Sequence, residues 1–152
     1  MDPTDKAILA ALQRDSATPV SEIAESVGLS ATPCWRRIKK LEDEGVIQRR
    51  VALADPEALG LSLTAFISVK TAQHNEAWLR RFAETVGRIP EIVEVHRMSG
   101  EIDYLMKVVV PDMTHYDRVY KRLISSVDFS DFTSTFSMEV LKQTTELPLD
   151  YV

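Results

Sequence analysis

The chain has 152 residues, 45% of them hydrophobic and 27% charged, with a net charge of −5 at neutral pH. This length fits one or two small domains, and this balance of apolar and charged residues excludes a disordered chain. A single cysteine excludes an internal disulfide framework and a cysteine-based zinc finger. No apolar run is long enough to span a bilayer, and the acidic N-terminus lacks the pattern of a secretory signal, so we expect a cytoplasmic protein.

The negative charge belongs entirely to the second part of the chain. Residues 1–50 carry eight basic and eight acidic side chains, whereas residues 51–152 carry ten basic and fifteen acidic ones. Six of the first eight cations cluster between Arg36 and Arg50. A net negative chain argues against a nucleic-acid partner, but a locally basic segment is typical of a small nucleic-acid-binding module. A solvated helix face with mixed charges would give the same pattern.

Three amphipathic helices are predicted before residue 46. Asp2 followed by Pro3 is typical of a helix start, and Ser21 and Ser30 are candidate N-caps for the second and third helices. Gly28 and Gly45 suit the turns that end those two helices. The predicted inward positions, at helical spacing, are Ile8, Leu9, Leu12, Ile23, Ala24, Val27, Cys34, Ile38 and Leu41.

A short helix, a tight turn with glycine and a longer basic helix form the layout of a helix-turn-helix. In that motif the last helix enters the major groove of duplex DNA, where Arg and Lys neutralise phosphates or bind guanine edges. Residues 46–53 predict two short strands joined by a basic tip, which would form a wing. The predicted DNA-binding residues are Ser21, Ser30, Ala31, Thr32, Pro33, Trp35, Arg36, Arg37, Lys39, Lys40, Arg49 and Arg50.

Two side chains near the start of the third helix allow more than one interpretation. Trp35 either packs under the helix or faces DNA, and helical phase places it about 100° from Cys34. Cys34 falls in line with Ile38 and Leu41, which predicts a small buried apolar residue. A reactive thiol is the alternative, because a helix N-terminus lowers the pKa of a thiol.

The second part of the chain predicts a βαββαβ ferredoxin-like sandwich, so the fold class is α+β. We expect a winged helix-turn-helix domain over 1–54, a hinge over 55–60, the sandwich over 61–142 and a C-terminal tail over 143–152. Asn75 and Asp112 are the candidate caps of its two helices, and the last strand alternates from Phe132 to Val140. The predicted inward positions are Trp78, Leu79, Phe82, Ala83, Val86, Met113, Tyr116, Val119, Tyr120, Leu123, Phe132, Phe136, Met138 and Val140.

A four-stranded sheet with helices on one face leaves its other face uncovered. The residues predicted on that face are not uniformly polar, and an exposed apolar sheet face is typical of a partner site. We therefore expect self-association through this domain. A two-fold dimer would match a palindromic operator in double-stranded DNA.

The turn from Ser99 to Asp103 offers one glycine, two carboxylates and free backbone amides. A small zwitterion can donate its ammonium to Asp103 or Glu101, and its carboxylate can accept from the amides. Thr135 and Ser137 on the last strand are candidates for lining the same cleft. A plain hairpin turn, with glycine for an unusual φ and Asp for capping, is the alternative interpretation.

The chain resembles the leucine-responsive/asparagine regulator (Lrp/AsnC) family in two places. Residues 21–47 resemble its DNA-binding domain, and residues 99–105 resemble its effector-loop motif; the stretches 32–35 and 52–56 are similar to a subgroup with regulators of cysteine and proline metabolism. The motifs that match the DNA-binding domain are Leu29-Ser30, Thr32-Pro33-Cys34, Arg36-Arg37-Ile38, Leu41-Glu42 and Gly45-Val46-Ile47.

The resemblance implies a DNA-binding transcriptional regulator modulated by a small amino acid. The effector would bind at the loop near a subunit interface, and homodimers would assemble into tetramers or octamers. A ligand-independent architectural DNA-binding protein of the same fold is the alternative function. The predicted effector-binding residues are Met98, Ser99, Gly100, Glu101, Asp103, Tyr104, Thr135 and Ser137.

An enzyme or a metalloprotein is not expected. His74, His96 and His115 do not sit at metal-ligand spacing, and the sequence has neither a Gly-rich nucleotide loop nor a Gly-x-Ser-x-Gly elbow. We therefore expect no catalytic residues, no metal and no cofactor beyond a possible amino-acid effector.

Overall fold

The computed structural model describes residues 1–152 and divides into two compact units, Met1–Leu53 with Leu141–Val152, and Ala54–Val140. None of its helices has both the length and the apolar character that crossing a membrane requires. The first unit holds α1 (Pro3–Arg14), α2 (Val20–Ser26) and α3 (Ala31–Asp43). The second unit holds β1 (Leu63–Lys70), α4 (Glu76–Gly87), β2 (Ile92–Arg97), β3 (Tyr104–Val110), α5 (Met113–Ser126) and β4 (Asp131–Phe136).

The first unit is a three-helix domain around a small apolar core. Its fully buried side chains include Ile8, Ile23, Cys34 and Ile38, and this confirms the helical periodicity predicted for all three helices. Gly28 has a φ of 68°, which favours glycine, and it turns the chain between α2 and α3. The result is the predicted helix-turn-helix arrangement, in which α3 packs its apolar stripe on α1 and α2.

Two local predictions in this unit are wrong. Pro19, not Ser21, occupies the N-cap of α2, so Ser21 lies inside the first helical turn. Residues 46–53 form no strand and therefore no strand pair. The physical reason is that Arg49-Arg50 lacks the glycine, asparagine or aspartate that a two-residue hairpin turn requires. Each predicted strand would also have had only about three residues, below the usual length of about five.

The C-terminal tail, residues 141–152, belongs to the first unit. Gln13 at the end of α1 binds it with its side chain: Oε1 accepts from the Leu147 amide at 2.7 Å, and Nε2 donates to the Leu147 carbonyl at 3.3 Å. The Thr145 hydroxyl donates to the Gln13 carbonyl at 2.7 Å. A cleft of about 670 Å³ lies between α1, residues 46–53 and this tail. Leu9, Leu12, Val51, Leu53, Leu147 and Leu149 are among its apolar lining residues.

The second unit has the predicted βαββαβ order. Its antiparallel sheet runs β2-β3-β1-β4, and α4 and α5 pack on one face. Trp78 stacks on Phe82 with 5.1 Å between ring centroids, and its indole nitrogen donates to the Asp128 carbonyl at 2.9 Å. Asn75 and Asp112 cap α4 and α5 with their side chains, as expected.

Some predicted inward positions of the second unit are exposed. Met113 is 54% exposed because it is the first residue of α5, and Leu79 and Ala83 lie at the margin of the α4 stripe. The last strand ends at Phe136 and not at Val140, so Met138 is 96% exposed. Beyond Phe136 only the Ser137 amide continues the pairing, by donating to Thr64.

The sheet face away from the helices is uncovered in the single chain. Strand register places Phe66 between Lys107 and Thr135, and Ser68 between Leu105 and Thr133. Thr64 lies beside Val109 on the same face. Three apolar side chains, Phe66, Leu105 and Val109, therefore sit on a surface that is otherwise polar. We call this surface the open sheet face.

Candidate nucleic-acid interface and ligand loop

Helix α3 presents one continuous exposed face. Cys34, Ile38 and Leu41 point into the core, so Thr32, Trp35, Arg36, Lys39 and Asp43 share the opposite side at spacings of three and four residues. Of the twelve residues predicted to bind DNA, Arg37 alone is not exposed. The exposed ones are Ser21, Ser30, Ala31, Thr32, Pro33, Trp35, Arg36, Lys39, Lys40, Arg49 and Arg50.

The charge on α3 changes sign along the helix. Arg36 and Arg49 form no ion pair, whereas Lys39 lies 3.2 Å from Asp43, Lys40 3.8 Å from Glu44, and Arg50 3.1 Å from Glu42. These pairs are exposed, so each stabilises the fold little and a phosphate can displace it. The acidic C-terminal end would repel a phosphate backbone. The part of α3 before Glu42 is therefore the part of the helix that suits a polyanion.

Arg37 is half-buried and forms ion pairs with the start of α1. Its Nη1 atom donates to Asp2 Oδ2 and to Asp5 Oδ1, both at 2.6 Å. Asp5 is buried, and the Arg37 side chain is only 34% exposed. The backbone bond to Asp5 and the bond from Arg37 hold the pKa of Asp2 below its ordinary value, and the two carboxylates raise the pKa of Arg37. The predicted outward role of Arg37 does not fit this geometry.

The start of α3 differs in one detail from the prediction. Ser30 occupies the N-cap, but its hydroxyl forms no capping hydrogen bond. The hydroxyl and the first backbone amides of α3 therefore keep donors for an external anion at the positive end of the helix dipole.

Cys34 and Trp35 now have definite environments. Cys34 is fully buried, and burial raises the pKa of its thiol above the ordinary value, which favours the interpretation of an inert core residue over a redox sensor. Trp35 is 55% exposed and lies on the outer face, where its ring can contact DNA sugars or thymine methyl groups.

The loop between β2 and β3 is a closed turn with free amides. Its base is tied by the Met98 amide, which donates to the Asp103 carbonyl at 2.8 Å, and by the Asp103 amide, which donates to Val69 at 2.9 Å. Gly100 has a φ of 135°, which a side chain would disfavour. The amides of 99–102 donate no hydrogen bond within the chain. This loop therefore keeps the donors that a carboxylate needs.

The two acids of this loop differ in their partners. Asp103 accepts from the Thr71 amide at 2.8 Å through Oδ2, so one oxygen fastens the loop to the end of β1 and the other is free. Glu101 is almost fully exposed and lies 3.5 Å from Lys70. Asp103 is thus the better placed of the two to hold an ammonium group in a fixed geometry.

Strand pairing places the other two predicted effector residues, Thr135 and Ser137, away from the loop. Asp103 bonds to Val69 at the end of β1, whereas Ser137 bonds to Thr64 near its start, about 17 Å away along the strand. Thr135 pairs with Phe66 in the middle of the open sheet face. Within one chain this distance prevents Ser137 from lining a cleft with the loop. Alternation predicts the sheet face on which a residue lies, but not its height along the strand.

Four residues at these sites were not predicted from the sequence. Asp2 and Asp5 are the partners of Arg37, and Lys70 and Thr71 are the partners of the loop acids. A local signal existed only for Asp2, as a helix cap. The structure contains no group of three His, Cys, Asp or Glu side chains placed to hold a metal ion.

Both parts of the chain match known family models. Residues 1–48 match a winged helix-turn-helix DNA-binding model, and residues 64–147 match the Lrp/AsnC ligand binding domain. A curated relative, the DNA-binding transcriptional activator DecR of Escherichia coli K12, is 49% identical over 151 residues, which is 99% of each chain.

Solved structures agree with both fold and sequence. An AsnC family transcriptional regulator from Agrobacterium tumefaciens superimposes with a TM-score of 0.95 at 54% identity, covering 99% of each chain. A transcriptional regulator from Neisseria meningitidis in complex with L-methionine gives 0.94 at 36% identity, covering 99% of this chain and 98% of that one. The fold and the two matching family models define a helix-turn-helix protein whose second domain is of the Lrp/AsnC ligand-binding type. The chain belongs to the Lrp/AsnC family of DNA-binding transcriptional regulators.

Proposed function

We propose that this regulator binds double-stranded DNA with the part of α3 before Glu42 in the major groove. The observation that carries the proposal is the single exposed face of α3, where Thr32, Trp35, Arg36 and Lys39 lie together and no acid precedes Glu42. Such a face can place Arg36 and Lys39 on phosphates or guanine edges. Ser30 and the free amides at the start of α3 would hold one more phosphate. Arg49, Arg50 and Ser21 are exposed and available for backbone contacts.

We propose a small amino acid as the effector, bound at the loop from Met98 to Tyr104. The free amides of 99–102 suit its carboxylate, and the unused oxygen of Asp103 suits its ammonium. The match of residues 64–147 to a ligand-binding domain supports this assignment. The related Neisseria meningitidis regulator was solved with L-methionine, which makes that amino acid the first probe to try.

We propose further that the chain assembles through the open sheet face into a homodimer, and then into tetramers or octamers. Phe66, Leu105 and Val109 supply an apolar centre and the surrounding Thr and Lys side chains a polar rim, which is the usual anatomy of an interface. A two-fold dimer presents two copies of α3 and suits a palindromic operator.

An effector that binds one assembly state more tightly shifts the population toward that state. The DNA affinity changes with it, typically by about 1–3 kcal/mol of coupling. We place the protein in the cytoplasm, where it would meet both DNA and free amino acids. Its relatives are transcriptional regulators, and we assign it no catalytic role.

The test is an electrophoretic mobility shift of the full-length protein on the DNA upstream of its own gene, with and without each of the common amino acids. We expect a retarded band whose position or intensity changes with at least one amino acid. Calorimetric titration of the same amino acids separates binding from its effect on DNA. A retarded band with no heat from any amino acid would favour a ligand-independent architectural protein. No retardation at low salt would contradict the DNA-binding assignment.

A further inference from the structure

Arg37 stands out among the cations of the DNA-binding unit because its hydrogen bonds are internal. The two hydrogens of its Nη1 atom are directed to Asp2 Oδ2 and Asp5 Oδ1, each at 2.6 Å. The neighbouring Arg36, by contrast, is exposed and forms no ion pair. Adjacent residues of the same type on the same helix therefore have opposite environments.

The two aspartates are already bonded to each other's backbone at the start of α1. The Asp5 amide donates to Asp2 Oδ1 at 2.8 Å, and the Asp2 amide donates to Asp5 Oδ2 at 3.2 Å. Each carboxylate thus uses one oxygen for this capping box and the other for Arg37. All four carboxylate oxygens have partners, so the network is closed. We call Asp2, Asp5 and Arg37 the α1–α3 clasp.

The charge of the clasp bears on whether Arg37 contacts a DNA phosphate or joins two helices. Two carboxylates and one guanidinium sum to −1, so the group as a whole repels a phosphate. The Asp5 side chain is only 7% exposed, which leaves water little scope to replace Arg37 as its partner. The guanidinium would have to abandon a nearly buried carboxylate in order to reach DNA. Its position favours a contact between helices over a contact with a ligand.

The clasp lies beside the apolar contact of the same two helices. Ile8 and Leu12 of α1 pack in one core with Cys34 and Ile38 of α3, and this core fixes the distance between the helices. An apolar contact has no preferred direction, so the core by itself tolerates small rotations of α3 about its own axis. A directional ion pair next to Ile38 restricts that rotation. The direction in which Trp35 and Arg36 face is thereby set.

We infer that Arg37 is a positioning residue of the recognition helix, which sets the orientation of α3 through Asp2 and Asp5 and makes no phosphate contact itself. The inference rests on the proposed DNA binding and assigns a basic residue of the motif to a contact between α3 and the start of α1. It also predicts an unusual behaviour for two acidic residues near DNA: their removal weakens binding.

The test measures affinity for a duplex that the wild type binds, and its dependence on salt, by fluorescence anisotropy. Each phosphate contact contributes about 0.9 to the slope of log K against log salt concentration. Arg37→Ala should weaken binding about 5- to 150-fold, because a turned α3 loses about one bidentate base contact made by another residue. The slope should stay unchanged, because the long side chain of Arg36 still reaches its phosphate. Arg36→Ala, the matched neighbour, should lose affinity and about 0.9 of the slope.

Asp5→Asn supplies the sharper comparison. Removal of a negative charge near DNA strengthens binding if only the overall field matters, so a weakened Asp5→Asn variant with normal slope supports the clasp. Glu22→Gln removes the same charge from an exposed side chain of α2 and should bind as tightly as the wild type or more tightly. Folding is checked by protection of the buried Cys34 thiol, since an affinity loss in a folded variant is not a stability effect.

Two results would overturn the inference: a slope reduced by about 0.9 in Arg37→Ala, or an Asp5→Asn variant that binds at least as well as the wild type. If Arg37→Ala loses protection of Cys34, the affinity and slope of Asp5→Asn decide whether the clasp orients α3. If Asp5→Asn also loses protection, Asp2→Asn decides it; the Asp2 side chain is 46% exposed. Loss of protection in all three variants would mean that the network is a folding requirement, which also overturns it. A wild type that binds no duplex would contradict the proposed function itself.

Discussion

The carboxylate of Asp103 accepts a 2.8 Å hydrogen bond from the backbone amide of Thr71. The two residues are 32 positions apart and join the loop between β2 and β3 to the end of β1. One side chain thus has two possible tasks, to hold the loop in shape and to hold the ammonium of an amino acid. Replacement by Asn separates them, because the Asn carbonyl still accepts from Thr71 while the charge is lost.

Asp103→Asn should weaken L-methionine binding by about 1.5–3 kcal/mol, the worth of a hydrogen bond to a charged group. Asp103→Ala should weaken it further, because the loop also loses its tie to Thr71. Isothermal titration calorimetry measures both. Glu84→Gln removes an exposed acid from α4 as a control and should leave the affinity unchanged. Wild-type affinity in Asp103→Asn would show that Asp103 does not hold the ammonium group.

The single cysteine reports on the integrity of the DNA-binding unit. Cys34 is fully buried between the helices, and burial raises the pKa of its thiol, so the reactive thiolate is scarce. We expect no reaction with a chromogenic disulfide reagent at pH 8 in the native protein and one thiol per chain in denaturant. Rapid labelling of the native protein would contradict the buried environment of Cys34 and favour the interpretation of a reactive thiol.

The stability of the first unit should depend on pH through Asp2. Its pKa is lowered in the folded chain, first by the Asp5 amide and then by Arg37, so ionised Asp2 stabilises the fold above its ordinary pKa of 3.8. That contribution is lost as the pH falls through the lower pKa of the folded state. The difference in Tm between wild type and Asp2→Asn should be largest above pH 5 and shrink toward pH 3. A gap that widens in acid would contradict this assignment.

A charged substitution on the open sheet face should lower the molecular mass of the assembly in solution. Phe66→Lys places a charge at its centre, next to Lys107, and should shift the protein toward the monomer in sedimentation velocity at micromolar concentration. Ile124→Lys is the matched control, because Ile124 is 45% exposed on α5 and Phe66 is 37% exposed. A monomeric wild type, or an equal effect of both substitutions, would remove this face as the interface.

Local patterns in the sequence were sufficient for most of the fold. The spacing of Cys34, Ile38 and Leu41 predicted the buried side of α3, and Asn75 and Asp112 predicted two helix starts. Each of these signals depends on neighbours within about one or two helical turns.

The features that the sequence did not predict depend on distant partners. Arg37 meets Asp2 and Asp5 across 35 and 32 positions, and Gln13 meets Leu147 across 134. The local sequence around Arg37 therefore predicts a DNA contact, because its acidic partners Asp2 and Asp5 lie far away along the chain. Ser137 lies one residue beyond β4 and bonds to Thr64, far from the β2–β3 loop along β1, and alternation alone carries no register that would predict this.

The most direct test of the account is the salt dependence of duplex binding by a variant with Arg36, Lys39 and Lys40 all replaced by Ala. The probe is the duplex upstream of the gene, and Cys34 protection verifies the fold. We predict a large loss of affinity and a slope of log K against log salt reduced by up to about 2.7, at about 0.9 for each phosphate that the variant leaves without a cation. Unchanged affinity and slope in the folded variant would show that α3 does not bind DNA.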